Sequence, residues 1–357
     1  MLSSLFVALI GPAAPVSADN ETTAGTVSGT ETWSGVHTLT GDVVISSGAK
    51  LIIQPGTTVV FPNGTHLDVR GNLCAGVSAC GANSDAGTSQ KITFRWSEPA
   101  NSSARGECYG MSYGNQQIWV EDASCYEGVL IRNTIDLSQT GLRYITIDGA
   151  WGIPYYIPTV FQWRYGALVI DGASPVLNEI EFTNINTTSV LTTNLAQPHF
   201  IGGEYVVGTD DSSGVRGSAV QIYSSGTPVT PLILESPYLI GTNVGCSRQA
   251  PSRPAVWAQD TFIEITDAEV ETGDYGISLR NSAGTVSNSE LDVNCNGIDI
   301  NSRKAVGNTD YEVNIINNEI TTVDGAPITV FQGGLANIIA NEMEGCLLYT
   351  SPSPRDS

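Results

Sequence analysis

Between residues 42 and 71 the chain reads DVVISSGAKLIIQPGTTVVFPNGTHLDVRG. Its apolar words are centred on Val44, Ile52, Val60 and Asp68, the last flanked by Leu67 and Val69. These centres return every eight residues, and a Gly-containing turn separates each from the next. A strand of about five residues plus a turn of two to four fills such a period. A helix does not, because no segment sustains a 3.6-residue apolar rhythm before a Gly, Pro or Asn cluster interrupts it. Short strands joined by turns that are not of the hairpin type belong to a chain that winds in one direction. Three strands then make a coil of about 24 residues, and successive coils stack as parallel strands.

A second repeat lies downstream. AVWAQ at Ala255, GISLRNS at Gly276 and GIDINS at Gly297 are spaced by 21 residues, and PITVF at Pro327 follows after 30. A companion strand recurs beside them, centred on Val270, Leu291, Ile320 and Met343. The expected fold is all-β: a right-handed parallel β-helix, a solenoid of three short strands and about 21–24 residues per coil. The words GDVVI, AKLIIQPGTTVVF, LDVRGNL and KITF resemble the N-terminal coils of right-handed parallel β-helix proteins, the superfamily of pectate lyases and many surface proteins. That resemblance implies the fold and leaves the function open, because the scaffold hosts lyases, hydrolases, adhesins and passive spacers alike.

Both ends are set aside before the coils are counted. Residues 1–18 contain the short apolar run LFVALI and end in Val16-Ser17-Ala18, which matches the core and cleavage site of a secretory signal, although no Lys or Arg precedes it. The run is too short to span a membrane. Residues 19–31 are polar and expected to be a disordered linker, with the solenoid occupying 32–345. Residues 346–357 begin CLLYTSPSPRD, which a common transposase sequencing adapter encodes in frame, so this tail is read as non-native and the natural chain is expected to continue. Within the solenoid, two excursions break the rhythm at 97–127 and 151–165.

Charge narrows the partners. The chain carries 15 Lys and Arg against 36 Asp and Glu, a net charge of −21. Such a surface repels nucleic acid, which requires clustered basic side chains, and disfavours anionic membranes. It suits salty water, where repulsion is screened. Outside the tail there are six cysteines, an even number that favours disulfides in a secreted chain. Cys74 with Cys80 and Cys108 with Cys125 are the candidate pairs, while Cys246 and Cys295 lie about two coils apart and look unsuited to pairing. Sequons at Asn20, Asn63, Asn101 and Asn186 are compatible with surface glycosylation.

Register exposes candidate sites. Asn178, Asn288, Asn318 and Asn341 precede the inward residue of the companion strand and are read as structural turn residues stacked in a ladder. Glu269, Glu290, Glu319 and Glu342 share one outward position, where stacked carboxylates either hold a hard cation such as Ca²⁺ or form a solvated acidic face. Trp119, Trp151, Tyr155, Tyr156 and Trp163, in the two excursions, either form a platform for polysaccharide or cell-surface glycan or close down as a satellite core. Val256, Ile277 and Ile298 should point inward, leaving Gln221, Trp257, Ser278, Asp299 and Thr329 as an outward column with one carboxylate and no basic residue. Asp210-Asp211 and Arg303-Lys304 lack the company that a hydrolase motif needs, and Arg132, Arg143 and Arg164 stand in no recognisable lyase motif. No catalytic assignment follows.

The reading that results is a secreted or cell-surface β-helix module, non-catalytic, serving as adhesin, stalk or glycan-binding part of a longer protein. The alternative is a polysaccharide lyase or glycoside hydrolase with a divergent or missing catalytic coil. An outward cluster of carboxylates with a Lys, Arg or His in one groove would favour the enzyme.

Overall fold

The computed structural model describes residues 22–77, 90–97, 126–132, 140–185, 187–207, 217–241, 246, 254–302 and 311–345. These form a single sheet system of 30 strands wound as a parallel β-helix, with no α-helix among the described residues. No helix there is long and apolar enough to cross a membrane. The winding is compatible with the right-handed sense that parallel crossovers adopt because strands twist.

Strands stack in three faces. The first runs from Gly25–Val27 through Val43–Ile45, His66–Val69 and Gly128–Arg132 to Ile328–Phe331, each strand pairing in parallel with the next. The second begins at Thr30–Trp33 and ends at Leu335–Ile339. The third begins at Val36–Thr38 and ends at Glu342–Glu344. Coil spacing on the first face is as the sequence repeat implies: Val256, Ile277, Ile298 and Ile328 are direct ladder partners.

Alternation along each strand builds the core. The inward residues of the first face are the flanks of each apolar word: Val43 and Ile45, Leu67 and Val69, Ile277 and Leu279, Ile298 and Ile300, all essentially inaccessible. The centres of the eight-residue rhythm, Val44 and Asp68, are therefore the outward residues of those strands and pair with each other. The inward residues expected further along, Val256, Ile277 and Ile298, are buried as the alternation requires. Each added coil buries several aliphatic side chains at roughly 1.5–3 kcal/mol apiece, which offsets the ordering of its backbone.

Three expectations need correction. The stretch 19–31 is not all linker, because Gly25–Val27 and the first residues of Thr30–Trp33 already pair with the next coil. Its polar words hid one inward residue, Val27, which is 2% exposed, and Trp33 just beyond it is fully buried. Tyr126, assigned to the first excursion, is fully buried, stacks on Phe61 at 4.5 Å and donates its hydroxyl to the Phe94 carbonyl. Cys246 is disulfide-bonded to Cys295. Cys246 follows the strand Tyr238–Ile240 in a segment between coils. Six residues of extended chain reach ~20 Å, ample to pass the ~10 Å of two coils. Cys74 is also disulfide-bonded, while Cys80, Cys108 and Cys125 lie outside the described residues.

The Asn ladder exists with two of its four expected members, Asn318 and Asn341, and with Ser289 in place of Asn288. Asn318 is 2% exposed and its amide oxygen accepts the backbone N–H of Ser289 at 3.0 Å. Asn341 does the same for Asn318 at 2.9 Å, and Ser289 Oγ accepts from Ala268 N–H. Asn288 sits one residue earlier, in a left-handed column shared with Asp267, Asn317 and Ala340, all with φ of 52–56°. Asn178 lies one residue earlier still, on the strand facing Arg143 and Ile201. A turn with one residue at positive φ leaves the next N–H buried, and the Ser or Asn of the following coil satisfies it.

Candidate functional site

The outward column of the first face reads Asp68, Leu130, Val169, Leu191, Gln221, Trp257, Ser278, Asp299, Thr329, each the ladder partner of the next. Its middle is aliphatic, and Leu130, Val169 and Leu191 are nonetheless buried. A β-hairpin covers them. Ile153–Ile157 pairs antiparallel with the first half of Gln162–Asp171, and Ile153 and Ile157 pack with Leu130, Val169, Leu191 and Tyr223 in a small second core. The excursion at 151–165 is therefore a satellite core on its inner side. Its outer side leaves Tyr156 and Trp163 40% and 41% exposed, with ring centroids 5.4 Å apart.

On the N-terminal flank of the hairpin lies a cleft of about 330 Å³ lined by His66, Glu127, Leu130, Arg132, Tyr155, Tyr156 and Trp163. His66 Nδ1 is 3.1 Å from Glu127 and 3.3 Å from Asp42. Burial disfavours the charged imidazolium, yet the hydrogen bond to Glu127 and the charges of Asp42, Glu127 and Asp68 together lift His66 above its ordinary value. Asp68, almost fully covered, accepts two hydrogen bonds from Arg70, at 3.0 and 2.7 Å, and lies 3.4 Å from Arg132 Nε. Tyr155 donates to Asp171, which is the ladder partner of Arg132. Desolvation first, then this bond, raise the Tyr155 phenol well above its usual range. Gly128 lets the chain enter here: its φ is 133°, and a Cβ would sit 2.1 Å from the Ala167 carbonyl oxygen.

Sequence reasoning missed this cluster. It had followed the outward column only from Gln221 onward, where one carboxylate and no basic residue occur. Its one legible signal was Asp68, a carboxylate in the middle of an apolar strand word. Of the proposed glycan contacts, Tyr155, Tyr156 and Trp163 come together at the cleft. Trp151 does not: it is 9% exposed and packs edge-on against Tyr165 at 4.9 Å, inside the base of the hairpin. Trp119 lies outside the described residues. On the C-terminal flank, Asp299 faces outward as expected but is half-buried and hydrogen-bonded by Asn296 and Thr329.

On the third face Glu269, Glu290, Glu319 and Glu342 are successive ladder partners, as the register requires. The column continues upward through Tyr238, Glu204 and Glu181. Tyr238 donates to Glu271 at 2.6 Å, and chiefly this bond pushes its phenol up to about 12. The four glutamates are exposed, and among the described residues no group of three or more His, Cys, Asp or Glu side chains converges enough to hold a metal ion. The arrangement is an exposed, in-register acidic ladder. Changing Glu290 and Glu319 together to Gln is expected to raise the unfolding temperature slightly at low ionic strength, a gain that fades as salt screens the repulsion. Ca²⁺ at matched ionic strength should shift both proteins equally if the ladder is only solvated; a shift confined to the unmodified chain would establish a cation site.

Comparison with protein-family models, curated proteins and solved structures finds no match to this chain.

Proposed function

We propose that this chain is a secreted or cell-surface β-helix module, of the pectate-lyase-like class its N-terminal words resemble, that binds polysaccharide at the aromatic hairpin and its flanking cleft. The observation that carries the reading is the pairing of Tyr156 and Trp163, two partly exposed aromatic rings beside a cleft that His66, Glu127 and Arg132 also line. Sugars present apolar ring faces edged by hydroxyls, and an aromatic platform next to charged donors and acceptors matches both. The rigid coils beneath hold the hairpin in place, so little ordering is needed on binding. The secretory signal and the Cys246–Cys295 disulfide fit an extracellular setting.

The test is affinity electrophoresis through gels containing a panel of plant, algal and microbial polysaccharides. The unmodified protein should be retarded by at least one of them. Tyr156→Ala combined with Trp163→Ala should weaken that retardation roughly tenfold or more, as loss of aromatic anchors does elsewhere. Equal retardation of both proteins would remove the platform from the account.

A second reading is favoured by the charged cluster itself. His66, Glu127 and Arg132 line one cleft, with Asp68 behind Arg132, the combination of acid, base and cation that polysaccharide cleavage draws on. Release of new reducing ends or unsaturated products, lost in Glu127→Gln, would establish catalysis. Retardation without product would leave binding alone.

A further inference from the structure

A second cleft, of about 170 Å³, lies on the C-terminal flank of the hairpin and is lined by Arg164, Ser218, Gln221, Tyr223, Trp257 and Arg280. Two guanidiniums enter it from different elements. Arg164 comes from the hairpin, donates to Tyr223 Oη at 2.9 Å and sits 5.9 Å from that ring's centroid. Arg280 comes from the coil, with its Cζ over the Trp257 ring 4.4 Å from the centroid. A guanidinium over an aromatic face can still donate its N–H groups to a ligand. Arg164 also donates to the Trp163 carbonyl at 3.1 Å and to the Gln162 side-chain oxygen, which leaves one N–H on each terminal nitrogen. Among the described residues neither arginine lies within ion-pair distance of a carboxylate. Asp299 acts on Arg280 only through longer-range attraction. Trp257 Nε1 is a buried donor without a hydrogen-bond partner.

In a chain with 36 acidic and 15 basic residues, two cations meeting without a carboxylate are unexpected. An orphaned indole donor beside them costs free energy unless an acceptor completes it. We propose that this cleft is an anion subsite that takes a carboxylate or sulfate group carried on a glycan, with Arg164 and Arg280 as charged donors and Trp257 Nε1 as the neutral one. The proposal rests on the glycan-binding reading above and adds to it the charge class of the ligand. The subsite is separate from the Tyr156–Trp163 platform, on the opposite flank of the same hairpin.

Isothermal titration calorimetry on the full chain tests it with three oligosaccharides of matched length: neutral, uronic-acid-containing and sulfated. At least one anionic oligosaccharide should bind more tightly than the neutral one, and the advantage should shrink with added NaCl. Which anionic arm gains distinguishes carboxylate from sulfate. Arg280→Gln should weaken the anionic arm about tenfold, the usual effect of losing a charge-assisted hydrogen bond, and leave the neutral arm unchanged. Arg280→Lys should recover part of the loss, and Trp257→Phe, which keeps a ring and removes the N–H, should weaken the same arm several-fold. Inorganic sulfate against chloride at equal ionic strength gives a readout independent of any sugar: it should raise the unfolding temperature of the unmodified protein and not of Arg280→Gln. Neutral binding that depends on Tyr156 and Trp163, with no anionic advantage and no sulfate effect, would overturn the subsite and leave the glycan reading standing. A sulfate effect lost in Arg280→Gln without any sugar binding would uphold the anion site and overturn the glycan reading.

Discussion

Ile298→Asp is expected to melt the C-terminal coils. Ile298 is wholly buried, pointing inward between its ladder partners Ile277 and Ile328. The substitution forfeits about 2–3 kcal/mol of apolar burial and places a carboxylate where no partner can reach it, costing several kcal/mol more. A solenoid responds locally, because each coil touches only its neighbours. The damage should therefore concentrate around residues 276–345, visible as lost amide-exchange protection there while the N-terminal coils stay protected. A variant that unfolds at the same temperature as the unmodified chain would mean that the register is wrong by one residue, which turns every side chain of that strand over.

The neighbouring residue should respond in the opposite direction. Asp299 faces out, yet desolvation raises its carboxyl from 3.8 to about 6, against the hydrogen bond from Asn296 and the attraction of Arg280. The folded value lies above the unfolded one, so the folded state holds the proton more tightly. Protonated Asp299 thus favours folding below about pH 4, and that contribution is lost as pH rises from about 4 through 6. By pH 7 the difference amounts to at most about 3 kcal/mol, and less where solvent reaches the group. Asp299→Asn keeps an oxygen to accept from Asn296 and Thr329 and removes the titration. The variant should match the unmodified protein near pH 4 and exceed it in thermal stability at pH 7–8. Parallel curves across pH 4–8 would show that the carboxyl is not perturbed in the fold. The sequence places Asp299 in the outward column; its neighbours across the ladder cover it enough to raise its carboxyl.

The third face carries the glutamate ladder, with Lys91 and Arg95 at its N-terminal end, whereas Arg132, Arg164 and Arg280 belong to the first face or to the hairpin seated on it. If the proposed anion subsite holds, the glutamate ladder should disfavour approach of an anionic polymer from the third face.

What the sequence by itself determined is local and periodic. Side-chain alternation with a period of two and coil spacings of 21 residues are short-range properties, so the fold class, the stacking of Ile277 on Ile298 and the in-register glutamates could be read directly from it. Ladder hydrogen bonds slipped by a residue where a left-handed turn residue, Asn288, precedes the one that stacks, Ser289. Only the tertiary structure decided what meets across insertions. Leu67 pairs with Val129, 62 positions away in the chain, and that pairing seats Arg132 beside Asp68. The hairpin's reach over Leu130, Val169 and Leu191, and so both clefts beside it, depends on how an antiparallel excursion folds back onto a parallel stack. No repeat encodes that distance: the coil period specifies each layer's neighbours, while the length of chain looped out between layers is free to vary at small entropic cost.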